Sequence, residues 1–235
     1  MIKNRVIALA FRLIALTVIL VGFANQLGFF RGRFDYDMFK WYTIQSNMLA
    51  AVMFAALAIR TIIGIMESPR GSVGWLTRFQ MVCTVNLLLT FVVFWALLAP
   101  TVPKFYLLSY GNLSIHVIAP LLCLADYILF SEAKRLKRRN VYYTCIFPAF
   151  YFIAVIAAGF LGYDYGTHFV VTRWITADGA EGYIIPKRAP YFFLDFNESG
   201  IMVLAYVGGI IAFLLLLGYG FYLHDRKFRK SPVIP

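Results

Sequence analysis

The stretch GIMVLAYVGGIIAFLLLLGYGFYL, residues 200–223, carries no charged side chain. As a helix rising 1.5 Å per residue it reaches about 36 Å. That exceeds the hydrocarbon core of a bilayer, about 30 Å thick. Five more runs have the same character: Val6–Gly28, Trp41–Ile63, Phe79–Ala99, Asn112–Phe130 and Val141–Gly162. A helix satisfies its own backbone hydrogen bonds, which the lipid interior requires. The runs are too long, and too poor in alternation, for barrel strands. The sequence therefore reads as an all-α polytopic membrane protein with six transmembrane helices, one domain over residues 1–235. The first run resembles a signal peptide at Lys3, Arg5 and Gly22-Phe23-Ala24. Its length, and Arg12 inside it, favour a retained helix.

Composition agrees with this reading. Of 235 residues, 61% are hydrophobic and 14% charged, where a soluble domain has nearer 45–50% and about 25%. Mean hydropathy is +0.75. These values exclude an ordinary soluble enzyme, a disordered chain and a disulfide-stapled domain. The formal charge of +11 comes with no nucleic-acid-reading motif, so it is read as loop orientation and not as a nucleic-acid partner. Cys83, Cys123 and Cys145 lie within apolar runs with no CxxC spacing. They are expected to be packed hydrophobes.

Lys and Arg are unevenly shared between the two sides. The N-terminus, the second and fourth connections and the tail hold fifteen, the other side seven. Positive-inside logic places both termini in the cytoplasm. The run from Lys134 to Arg139 is the densest group. It reads first as a topology determinant, with anionic lipid headgroups as the alternative. The fifth connection, 163–199, is the one long polar segment. Residues 167–175 and 183–185 look strand-like around a turn at Asp178–Gly182, so a hairpin is expected. A connection of this length is a candidate lid, or an inert outer loop.

Polar residues inside the spans need a reason, because unpaired polar groups in lipid are costly. The second span opens Trp41-Tyr42-Thr43-Ile44-Gln45-Ser46-Asn47, and helical spacing puts Thr43, Ser46 and Asn47 on one face. The fourth opens Asn112-Leu113-Ser114-Ile115-His116, with Pro120, Cys123 and Asp126 further on. Both spans start at the outer surface, so their depths compare directly. Thr43 lies roughly 3 Å in and His116 roughly 6 Å. A hydroxyl and an imidazole at similar depth can act as nucleophile and base. Ser46, Asn47 and Asn86 are the candidate oxyanion donors. Each residue also has an ordinary reading. Thr43 would bond a carbonyl one turn back, at or near Phe39. His116, Asn47 and Asn86 would join helices. Asp126 would cap, pair with Lys134 or anchor its span. No metal-ligand cluster, GxSxG elbow, P-loop or dinucleotide fingerprint is present, and no cofactor is expected.

The run Phe39–Asn47 resembles the start of the second span in a family of small membrane proteins. That family includes the animal androgen-induced protein and the androgen-dependent regulator of tissue factor pathway inhibitor, and its bacterial branch looks closer still. Gly111–His116 followed by Pro120 and Asp126 is similar to the family's histidine helix. Pro190-Tyr191-Phe192-Phe193-Leu194-Asp195, then Gly200, is similar to its block before the last span. The resemblance implies a six-helix hydrolase with Thr43 as nucleophile and His116 as its partner. Animal members hydrolyse fatty acid esters of hydroxy fatty acids. The chain departs from that pattern in the Tyr and Ile flanking Thr43, in a proline shifted by one, and in its long outer loop. The expectation is an intramembrane lipid ester hydrolase with a fatty-acyl ester substrate, in the plasma membrane or bacterial inner membrane, its site toward the outer face. The alternative is a non-enzymatic lipid- or small-molecule-binding transporter or scaffold.

Overall fold

The computed structural model describes residues 2–176 and 179–228. Among these, six helices are long and apolar enough to cross a membrane. They are α1 (Arg5–Gln26), α2 (Tyr42–Glu67), α3 (Thr77–Thr101), α4 (Tyr110–Phe130), α5 (Arg138–Phe160) and α6 (Met202–Lys227). Each end falls within four residues of the run expected from sequence. The all-α membrane architecture is what the chain adopts. The chain groups into two compact units, Met1–Cys145 with Phe213–Pro235, and Ile146–Ala212.

In the first unit α1 to α4 enclose the core. α1 starts at Asn4, whose side chain accepts from the backbone N–H of Val6 and Ile7 at 3.0 and 3.1 Å, a side-chain cap of the orphan donors. Its buried stripe is Ala8, Arg12, Ala15, Ile19, Gly22 and Gln26. These steps of four and three keep one narrow face toward the neighbours, as in coiled-coil packing. Ala8, Ala15 and Gly22 make that face small. At Gly22 a Cβ would stand 2.0 Å from Ser114 Oγ, so glycine is what lets α1 approach α4. Ala15, Ile19, Ala50, Met53, Phe54, Leu57, Cys83, Leu87, Ala119 and Cys123 form the apolar centre. Cys83 and Cys123 are buried there, and all three cysteines are free. Large apolar side chains such as Ile14, Val52, Ile62 and Leu121 point outward, as a lipid-facing surface requires.

Arg12 and Asp126 depart from the sequence expectation. Arg12 was counted as an orientation charge, and Asp126 was assigned to a cap, Lys134 or an interfacial anchor. Both are fully buried and paired with each other, Nε to Oδ1 at 3.0 Å. The guanidinium also donates to Thr61 Oγ1 at 2.5 Å and to the Val73 carbonyl at 2.9 Å. Gln80 Nε2 donates to the other carboxylate oxygen at 2.6 Å. One polar knot therefore ties α1, α2, α3 and α4. Its reason is physical: neither charge can reach water from its position, so each must find the other.

The second unit holds the later part of α5, the fifth connection and the start of α6. The connection contains a hairpin, β1 (Thr167–Thr176) antiparallel to β2 (Gly179–Pro186), paired from Thr167↔Pro186 to Thr176↔Gly179. The hairpin was expected, but its ladder takes in residues assigned to the turn from sequence. Residues 179–182 extend the ladder, where register shifts between Val171 and Arg173 and between Trp174 and Thr176 absorb the mismatch. Asp178 lies outside the described residues. Beyond β2 the buried Asp195 carboxylate accepts from the backbone N–H of Arg188 and Asn197, both at 2.8 Å. Arg188 donates to the Gly159 carbonyl at 2.9 Å. A Cβ at Gly159 would meet the Arg188 carbonyl oxygen at 2.1 Å.

The knot sets an expectation for stability. Arg12→Leu or Asp126→Leu alone strands a polar group and is expected to cost about 3–5 kcal/mol. The double replacement is expected to cost much less. Melting temperatures of the detergent-purified variants check this, and equal losses in single and double variants would contradict it.

Candidate active site

Thr43 lies in the first turn of α2, two residues after Trp41, which starts the helix without a side-chain cap. His116 lies in the second turn of α4. The two meet, with Thr43 Oγ1 3.2 Å from His116 Nε2. Both residues are buried, at 8% and 4% exposure. The carbonyl suggested as the alternative partner of Thr43, that of Phe39, instead accepts from Gln45 Nε2 at 2.9 Å.

The tautomer of His116 follows from its other contact. Nδ1 is 3.2 Å from the Asn112 carbonyl oxygen, which can only accept. Nδ1 therefore carries the proton, and in the neutral ring Nε2 offers its lone pair. The Thr43 hydroxyl is then the donor in the Thr43–His116 bond. This is the arrangement a general base needs before a proton is transferred.

The ring is held by backbone geometry and by stacking. Residues Ser114–Ile118 form a π-turn closed by the Ala119 N–H on the Ser114 carbonyl. Pro120 follows directly. It has no N–H to give the His116 carbonyl, and its ring would crowd that oxygen in a regular α-helix. A widened turn relieves the clash, and such turns recur at functional sites. α3 repeats the pattern, with a π-turn over Phe94–Leu98, Ala99 closing on the Phe94 carbonyl, then Pro100. The first residue of that second turn, Phe94, stacks on His116 with centroids 3.7 Å apart and planes 25° from parallel. Sequence reasoning did not find Phe94. The available signal was the shared Ala-Pro dipeptide, Ala99-Pro100 and Ala119-Pro120.

The three candidate oxyanion donors have other duties. Asn47 Nδ2 donates to the carbonyls of Thr43 at 2.9 Å and Ile115 at 3.1 Å. It thereby bonds the turn bearing the hydroxyl to the residue before the histidine. Ser46 Oγ donates to the Thr43 carbonyl at 3.0 Å and lies 3.0 Å from Thr90 Oγ1. Asn86 Nδ2 donates to the Val82 carbonyl at 2.7 Å and the Thr144 carbonyl at 3.4 Å, and its Oδ1 accepts from the Tyr42 hydroxyl. Ser46 and Asn47 thus sit beside the pair and Asn86 further off, and the bonds of all three brace helices. The backbone N–H of Thr43, in the uncapped first turn of α2, has no hydrogen-bond partner among the described residues. Among these residues no group of His, Cys, Asp or Glu is arranged to hold a metal ion. Asp126, ten residues beyond His116, is about 15 Å away along α4 and belongs to the Arg12 knot.

No protein-family model matches the chain, and neither a curated protein nor a solved structure shows significant similarity to it.

The tautomer is directly measurable. In protein labelled with ¹⁵N-histidine, His116 is expected to show a protonated Nδ1 and a bare Nε2. Thr43→Val should shift the Nε2 resonance and leave Nδ1 nearly still. The opposite tautomer would refute the donor assignment.

Proposed function

We propose that the chain is an intramembrane lipid ester hydrolase with Thr43 as nucleophile and His116 as general base. One observation carries the reading: a buried hydroxyl lies 3.2 Å from one nitrogen of a buried imidazole whose other nitrogen faces a carbonyl oxygen at 3.2 Å. A threonine hydroxyl is a weak nucleophile until a base takes its proton. In the first step Oγ1 bonds the ester carbonyl carbon while its proton passes to Nε2. The tetrahedral adduct then expels the alcohol, which leaves with the proton from Nε2, and an acyl-threonine remains. Water attacks that ester, giving a proton to Nε2, and its collapse releases the carboxylic acid and restores the hydroxyl.

The developing oxyanion would form beside the first turn of α2. The Thr43 N–H and the positive end of that helix favour negative charge there. The amide oxygens of Asn47 and Asn112 are buried without a partner among the described residues. One stands a turn beyond Thr43 and the other a turn before His116, so they offer acceptors for the attacking water.

The shallow position of the pair, close to the ends of both helices, suits an ester group at the boundary of headgroups and acyl chains. The resemblance to the androgen-induced protein family supports a fatty-acyl ester, including fatty acid esters of hydroxy fatty acids. The excess of Lys and Arg on the opposite end supports a site on the outer face of the plasma or bacterial inner membrane, with both termini cytoplasmic.

Labelling by a fluorophosphonate probe and hydrolysis of a fluorogenic long-chain ester test this. Thr43→Ala and His116→Ala are each expected to lose at least about a hundredfold in rate, measured at a temperature where both variants remain folded. Thr43→Ser should stay labelled at an altered rate. Undiminished labelling and turnover in both alanine variants would remove the mechanism. Indifference to all three changes would favour a binding protein or scaffold.

A further inference from the structure

The basic run after α4 is not used by the proposed chemistry. Lys134, Arg135, Lys137, Arg138 and Arg139 are all exposed. Arg135 is paired to Glu132, Nε to Oε2 at 2.5 Å, and the other oxygen of Glu132 accepts from Ser72. Glu132 is therefore occupied. Among the described residues none of Lys134, Lys137, Arg138 and Arg139 has an acidic partner.

A charge run that only orients a span needs no fixed shape. This one is held in place. Leu136 is buried between the cations, and its N–H donates to the buried Asp225 carboxylate at 2.9 Å. The Lys137 N–H donates to the side chain of buried Asn140 at 2.6 Å. Lys134 takes φ 58°, a left-handed conformation that few residues other than glycine adopt. Asp225 brings the end of α6 alongside, where Arg226 and Lys227 are also exposed. Tyr142 and Tyr143 follow the run, 62% and 39% exposed. Tyrosines at a span end sit at headgroup level.

We propose that this fixed platform binds the phosphate groups of anionic phospholipids in the adjoining leaflet. Four cations within six residues, with no acidic partner among the described residues, exceed the single charge of the neighbouring Asp225 and need counter-charge. At the start of a span the lipid phosphates supply it, and the phenol rings lie at the boundary between headgroup and acyl chain. A soluble phosphate would gain nothing from the tyrosines or from the depth of the platform.

Native mass spectrometry of the full chain in detergent tests the assignment, with phosphatidylglycerol and phosphatidylcholine as probes. The wild type is expected to bind phosphatidylglycerol at least tenfold more tightly. The triple variant Lys137→Gln, Arg138→Gln, Arg139→Gln keeps every anchor named above and should lose at least fivefold. The control triple Arg31→Gln, Arg33→Gln, Lys104→Gln should stay within twofold. A photoactivatable phosphatidylglycerol on the wild type should cross-link to the peptide holding residues 134–143, which tests the site even if the variant fails to fold. Equal affinity for the two lipids, equal loss in both triples, cross-links elsewhere, or displacement by equimolar inorganic phosphate would each overturn the proposal.

Discussion

Hydrocarbon offers no hydrogen-bond partner, and this constraint arranges the first unit. Polar side chains inside the spans must find partners within the protein, on their own helix or on a neighbour. Two layers result. One is the Arg12–Asp126 pair with Thr61, Gln80 and the Val73 carbonyl. The other is the Thr43–His116 pair, braced by Asn47 on the Ile115 carbonyl. They are separated on α4 by the ten residues from His116 to Asp126, about 15 Å. Between them lies a mostly apolar centre, where the buried Thr84 hydroxyl donates to the Gln80 carbonyl. The knot sets which faces of α1 to α4 meet. Once they meet, the depth of Thr43 relative to His116 is no longer adjustable.

The two prolines act through the same constraint. Pro100 and Pro120 each remove a backbone donor within a span, and each is preceded by a π-turn that repairs the helix. The repairs face each other. One turns His116 toward α2, and the other places Phe94 flat against the imidazole. A ring stacked on one face and bonded at both nitrogens has little rotational freedom. In the proposed hydrolase such a ring would lose little entropy on engaging a substrate, which is the sense in which a site is preorganised.

How much of this was legible in the sequence depended on whether a feature is local. The spans were legible because lipid imposes a length and a composition on each run separately. The meeting of Thr43 and His116 was legible as a matter of depth, because both helices begin at the same end. Their being neighbours was not. The Arg12–Asp126 pair was hidden because its members are 114 residues apart and each had a plausible local role. The hairpin was visible in its β-branched run, but not the register shifts that carry residues 179–182 into the ladder. Those depend on how two strands twist against each other.

The amide side chains show what competes for a donor inside a span. Asn47 and Asn86 were candidates to stabilise an oxyanion because an amide can donate. In a membrane span the first claim on such a donor comes from backbone carbonyls, since few other donors are within reach. Asn47 meets two of them at once, and Asn86 two more. A donor for reaction chemistry has to be one that no local acceptor can claim. The first N–H groups of a helix meet that condition by geometry, because the carbonyls they would bond lie before the helix begins. In the proposed mechanism, a nucleophile in the first turn of α2 has within its own residue a backbone N–H that meets no acceptor among the described residues. On this view the position of Thr43 at the helix start matters as much as its hydroxyl.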